Sequence, residues 1–182
     1  MLLICGLGNP GKEYQQTRHN IGFLFIDYLL EELSIDSAEL KNKFQADFIK
    51  TEYLEHEVII AKPQTYMNNS GIAVAELCKF FKIKPEETII IHDELDLPFN
   101  SIKTKLGGGH AGHNGLKDID KRIGKKYHRI RVGIDHPRNI AGDFREVADY
   151  VLCKFSEEQQ KQLEALNNKT INELDQIIKA NF

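Results

Sequence analysis

A chain of 182 residues with 41% hydrophobic and 28% charged side chains can build one core and is short for two. The formal net charge of −3 at pH 7 is not that of a uniformly basic nucleic-acid coat, and no stretch reaches the roughly 20 apolar residues of a bilayer span. Cys5, Cys78 and Cys153 are far apart, form no Cys-x-x-Cys pair and stand among apolar neighbours, so three buried thiols are expected rather than a zinc knuckle or redox pair.

The chain starts Met1-Leu2-Leu3-Ile4-Cys5-Gly6, with no basic leader, and its apolar run stops by Asn9-Pro10-Gly11. No secretory signal is expected, and the cytoplasm is the expected setting. Residues 2–6 predict a buried first strand. Residues 21–33 are too long an apolar run for a strand and predict a heavily buried helix. Two strands are expected at 44–51 and 57–62, around the turn Leu54-Glu55-His56. A helix rich in Ala, Val, Leu and Phe follows over 71–82, then strands over 88–92 and 101–106. The glycine-rich loop Gly107-Gly108-Gly109-His110-Ala111-Gly112 leads to a short basic helix over 114–123. In 127–134, Ile130, Val132 and Ile134 alternate with Arg129, Arg131 and Gly133 as in a strand. Ser156-Glu157-Glu158-Gln159 is a capping box opening a final helix that runs close to the end. Strands alternating with helices predict a single α/β domain over 1–182, a twisted, mixed, mostly parallel sheet with helices on both faces.

The charge is unevenly spread. Residues 101–131 hold nine Lys or Arg against Asp118 and Asp120, a net +7, which leaves −10 on the rest. Such a segment suits a locally bound polyanion, and equally a solvated helix face beside a lysine-bearing strand edge. Gly6-Leu7-Gly8-Asn9-Pro10-Gly11 fits the dinucleotide pattern, but the apolar helix starts near Asn20 rather than at the loop, and no acid follows at a second strand's end. His19, His92, Asp93, Asp96, His110 and His113 raise a metal site, yet no His-Glu-x-x-His helix is present and no metal or cofactor is expected. There is no nucleophile elbow, and Ser70 reads as a helix cap. What remains is a histidine acting on water, with Asp93, at the end of a buried strand, to fix its tautomer. Asn9, Asn68 and Asn114 each fall between a strand and a helix, as turn formers or as amides able to hold a peptide or an oxyanion.

Several blocks together resemble the bacterial peptidyl-tRNA hydrolases. They are Gly6-Leu7-Gly8-Asn9-Pro10-Gly11, Tyr14, Thr17-Arg18-His19-Asn20, Lys62 to Gly71, His92-Asp93-Glu94-Leu95-Asp96, Gly107 to Gly115, and Arg129 to Ile134, in the family's order. The resemblance implies a monomeric cytoplasmic enzyme with a twisted mixed sheet that cleaves the ester between a peptide and tRNA. It implies His19 as general base, Asp93 as its orienting partner, and Asn9 as the residue separating N-blocked from free aminoacyl-tRNA. It implies Asn68 and Asn114 as substrate-binding amides, Tyr14 and Tyr66 at the tRNA end, and Met67 and His113 lining the cleft. Lys103, Lys105 and Arg131 would face phosphates. One departure is Asp135, where the family often has glycine. The competing reading is a non-catalytic RNA-binding protein on the same fold, which has no need of His19, Asp93 and Asn9 as a set.

Overall fold

Apolar alternation decides the layers of this protein. In the computed structural model, which describes Met1–Phe182, β1 (Leu2–Gly6) is followed by 3-10 turns at Lys12–Tyr14 and Arg18–Asn20 and by α1 (Ile21–Glu32). β2 (Lys41–Lys43), β3 (Ala46–Tyr53) and β4 (His56–Pro63) form an antiparallel meander. A 3-10 turn at Met67–Asn69 leads to α2 (Ser70–Phe81). Then come β5 (Thr88–Glu94), β6 (Ile102–Leu106), α3 (Asn114–Ile123) and β7 (His128–Gly133). Helices α4 (Val147–Val151), α5 (Glu157–Lys161) and α6 (Leu163–Asn181) complete the chain.

The strands lie in the order β2-β3-β4-β1-β5-β7-β6. The four central strands run parallel, and the three outer pairings are antiparallel. Parallel strands need cover on both faces, and the central strands have it. Leu2, Ile4, Ile60, Ile89 and Ile91 share a core with α1 and α6, while Leu3, Cys5, Ile59, Ala61 and Ile90 share another with α2 and α3. Each buried Leu or Ile contributes about 1.5–3 kcal/mol, and the period of two sends alternate residues to opposite cores.

The glycines of the first loop serve packing. A Cβ on Gly6 would lie 2.1 Å from the Gly22 carbonyl oxygen, and one on Gly22 would lie 2.4 Å from the Leu7 nitrogen. Only without these side chains can α1 lie directly on β1. Since α1 starts at Ile21, its amides do not face the 6–11 loop, so the dinucleotide pattern has no helix to complete it.

Three expectations need correction. β2 was not foreseen; it is three exposed polar residues, defined only by pairing with β3. The capping box at Ser156 is present, but the last helix bends at Gln162: α5 buries none of its residues, whereas α6 must follow the sheet with Leu166, Leu174 and Ile178. Cys5 and Cys78 are buried as expected, while Cys153 is half-buried where the chain leaves α4. β1 feeds α1 on one face and β4 feeds α2 on the other, which opens a crevice at the carboxyl ends of these strands.

Candidate active site

Asp93 is the hub of that crevice. It lies within β5 with a side chain 2% exposed, and its two oxygens accept from two imidazoles. The His19 Nδ1 lies 2.8 Å from Oδ2, and the His113 Nε2 lies 2.8 Å from Oδ1. The Leu116 backbone N–H donates to His113 Nδ1, so the proton of His113 sits on Nε2 and is donated to Asp93. Both nitrogens of His113 are thereby occupied. His19 differs: its Nδ1–H is given to Asp93, and its Nε2, with no protein partner, faces a cleft of about 550 Å³. Of the two rings, only His19 can take a proton from something in the cleft.

Electrostatics sharpen this division. Burial pulls the His19 pKa down, but the charge of Asp93 and its hydrogen bond outweigh burial and hold it above the ordinary 6.5. Burial alone would raise the Asp93 pKa; the two histidines overcome this and hold it well below the carboxylate range. His92 donates Nδ1–H to the Asp93 carbonyl at 2.7 Å, and burial, with His113 adding to it, pushes its pKa down to about 3. His92 is therefore neutral and braces the hub from behind.

Asn9 is held on both sides. Its backbone N–H donates to Asn20 Oδ1 at 2.8 Å, its carbonyl accepts from Asn20 Nδ2 at 2.9 Å, and its Oδ1 accepts from the Met67 N–H at 2.7 Å. The Nδ2 group is left as a donor. Tyr66 must adopt φ +60° to turn the Met67 amide inward, a left-handed conformation that is strained for a tyrosine. Tyr66 is 55% exposed, and its ring meets Tyr14 edge-on at 6.4 Å. Met67 is buried beneath, and Asn68 is exposed beside it. Asn114 opens α3 and borders the cleft.

The cleft holds no serine, threonine or cysteine. Ser70 is buried and donates Oγ to the Met67 carbonyl rather than capping an N–H. Burial raises both the Cys5 and Cys78 thiols, so neither supplies a nucleophile. His19, Asp93 and His113 offer metal-ligand atoms within 4.8 Å of one another, but both N–H groups already point at the carboxylate, and a cation would have to displace them.

The basic segment divides by depth. Lys103 and Lys105 are exposed on one face of β6, with Arg131 opposite Lys103 across the ladder. Arg131 donates Nε to Glu94 at 3.0 Å, so it is tethered. Arg129 is fully buried and bonds the carbonyls of Gly108 and Gly109 and the carboxylate of Asp120. It pins the glycine loop and is not part of any outer patch. Asp135 has φ +69°, a conformation glycine adopts freely.

Sequence reasoning missed the supports. Asn20, at the start of a helix and within the Thr17 to Asn20 block, has no role in the sequence pattern, yet it clamps Asn9. Arg18 is buried, donates to the carbonyls of Cys153 and Lys154, and stacks 4.4 Å from the Tyr150 ring. It ties the turn bearing His19 to the end of α4. The sole signal was their place on either side of His19.

An imidazole with one free nitrogen, a buried orienting carboxylate and a cleft without serine, threonine or cysteine are the parts of a water-activating hydrolase on an α/β fold. The family model for peptidyl-tRNA hydrolase matches residues 3–182. A peptidyl-tRNA hydrolase of Aliarcobacter butzleri (strain RM4018) is 48% identical over 175 residues, 96% of this chain and 91% of that protein. One from Neisseria meningitidis serogroup C (strain 053442) is 47% identical over 177 residues, 97% of this chain and 90% of its own. The crystal structure of peptidyl-tRNA hydrolase from Acinetobacter baumannii superposes with a TM-score of 0.88 at 41% identity, covering 99% of this chain and 89% of that one. The chain belongs to the peptidyl-tRNA hydrolase family.

Proposed function

We infer that the protein hydrolyses the ester joining a peptide, or an N-blocked amino acid, to the terminal ribose of tRNA, and so returns free tRNA to translation. The observation that carries this reading is the His19–Asp93 bond of 2.8 Å with the other ring nitrogen open to the cleft, in a member of this family. His19 Nε2 takes a proton from water as its oxygen bonds to the acyl carbon. Asp93 stabilises the imidazolium that forms. The ester C–O bond then breaks, and the proton passes from His19 to the departing ribose oxygen, leaving tRNA and a peptide carboxylic acid that loses its proton to solvent.

Asn9 has a physical reason to select N-blocked substrates. With Oδ1 occupied by the Met67 amide, it offers only N–H donors, which favour an acyl carbonyl and disfavour a free ammonium. Asn68 and Asn114 supply amides for the peptide backbone or the oxyanion. Tyr14 and Tyr66 receive the tRNA end, and Met67 and His113 shape the reaction centre. Lys103, Lys105 and Arg131 bind phosphates, Arg131 by exchanging Glu94 for one. No helix is long and apolar enough to cross a membrane; the reading is of a monomer in the cytoplasm, needing no cofactor.

The test is one incubation with N-acetyl-aminoacyl-tRNA and another with free aminoacyl-tRNA. Release of the acyl group from the blocked substrate alone is expected. Tight binding without release would favour a non-catalytic RNA-binding role and end this reading.

A further inference from the structure

Phe144 is 93% exposed, the most exposed of the large apolar side chains. Its neighbours hold it there. Arg145 donates Nε and a terminal nitrogen to Asp143, at 2.9 and 2.5 Å, and lies 5.0 Å from the Tyr150 ring. The Tyr150 hydroxyl donates to the Ile134 carbonyl at 2.6 Å, anchoring the segment to the end of β7. With Asp143 and Arg145 bonded to each other, the ring between them is presented to solvent.

The same segment forms a wall of the active-site cleft. Val147, Ala148 and Val151 line it together with Leu95 and Ala111, and Val147 is itself 38% exposed at the boundary. A second groove, beside Asn9, is more polar: it is bordered by Lys12, Gln15, Gln64, Asp47 and the Lys62–Asp27 pair. The apolar side therefore fits the acyl chain. Val147 is three residue steps along the chain from Phe144, at most about 10 Å, or some three residues of an extended peptide.

We propose that the peptide part of the substrate leaves the cleft over Val147 and lays an apolar side chain from its upstream residues against Phe144, making Phe144 a specificity residue for longer apolar peptides. This rests on the proposed function, but a binding measurement can judge it separately. Dissociation constants are measured in a His19→Ala background, where the ester survives, with and without Phe144→Ser and Phe144→Leu. The ligands are N-acetyl-aminoacyl-tRNA and tRNA carrying six-residue peptides with either leucines or serines at the upstream positions. Phe144→Ser is expected to weaken the leucine-peptide ligand about tenfold, leave the other two within about twofold, and be largely rescued by Phe144→Leu. A tenfold change corresponds to about 1.4 kcal/mol. Equal weakening of all three ligands would assign Phe144 to the tRNA and overturn the proposal, as would no change in any. Sedimentation at the same concentrations covers self-association: a dimer abolished by Phe144→Ser would give the surface to a second copy and overturn it too. If the unaltered chain binds as predicted but releases no peptide, only the catalytic reading fails.

Discussion

Replacing Asp93 with asparagine tests the hub, because both of its oxygens are in use. An asparagine offers one carbonyl oxygen and one NH2 group where the aspartate offers two acceptors. His113 cannot adapt without loss, since its Nδ1 already accepts from the Leu116 N–H. If the amide NH2 faces His19, the ring must carry its proton on Nε2 and cannot act as base; an analogous tautomer error elsewhere costs about 10⁴ in rate. If it faces His113, His19 keeps its tautomer but loses a charge-assisted bond of about 1.5–3 kcal/mol, or roughly 10- to 150-fold. Together these bracket the expected fall in kcat for N-acetyl-aminoacyl-tRNA at about 10–10⁴. The pH profile must move as well. His19 has to be neutral to accept a proton, so activity rises as pH passes its pKa, which Asp93 holds above 6.5. Without that charge burial dominates, and the acid limb shifts to lower pH. The elevated pKa of His19 stabilises the fold below pH 6.5 and fades as pH rises through the elevated value. The depressed pKa of Asp93 stabilises it above pH 3.8 and fades as pH falls. The melting temperatures of the two proteins should therefore differ more at pH 5.5 than at pH 8.5. A variant with kcat within tenfold of the unaltered protein and an unmoved acid limb would refute this account of the hub.

Asn9→Asp keeps the acceptor for Met67 but removes the donor; hydrolysis of N-acetyl-aminoacyl-tRNA should fall at least tenfold, and the preference for blocked over free substrate should narrow, as read from paired kcat/KM values. In Lys103→Ala/Lys105→Ala, the slope of log affinity for tRNA against log salt should flatten by roughly two, because about 0.9 counterions are released per phosphate contact; an unchanged slope would place the phosphates elsewhere. Asp135→Gly should stabilise the fold by about 1 kcal/mol, a rise of roughly 2–4 °C in Tm, by removing a side chain from a left-handed conformation.

What the residues disclosed in advance follows from the range of each interaction. The long helices α1, α2 and α3 and the apolar strands are set by local periodicity, so they could be read directly. The turns carrying His19, Met67 and Asn68 are three residues each, too short for any period. His19 and Asp93 were legible as a pair because a buried strand ending in a carboxylate is chemically unusual. The Asn20 clamp on Asn9 and the Arg18 anchor exist only after α1 and α4 have packed, and nothing local marks them. Arg129 shows the limit of counting charge. It adds to the basic segment in sequence, yet in the fold its charge is spent on Asp120 and two loop carbonyls. The glycines of the first loop look like a phosphate cradle and prove to be the contact surface between β1 and α1.

The central claim is that one imidazole removes the proton from water. Its most direct measurement is the single-turnover rate of N-acetyl-aminoacyl-tRNA hydrolysis by His19→Ala beside the unaltered protein, with a melting curve taken on both. The account predicts a fall of at least about 10²-fold with cooperative unfolding retained. A folded variant that still hydrolyses the ester within tenfold of the original rate would contradict it.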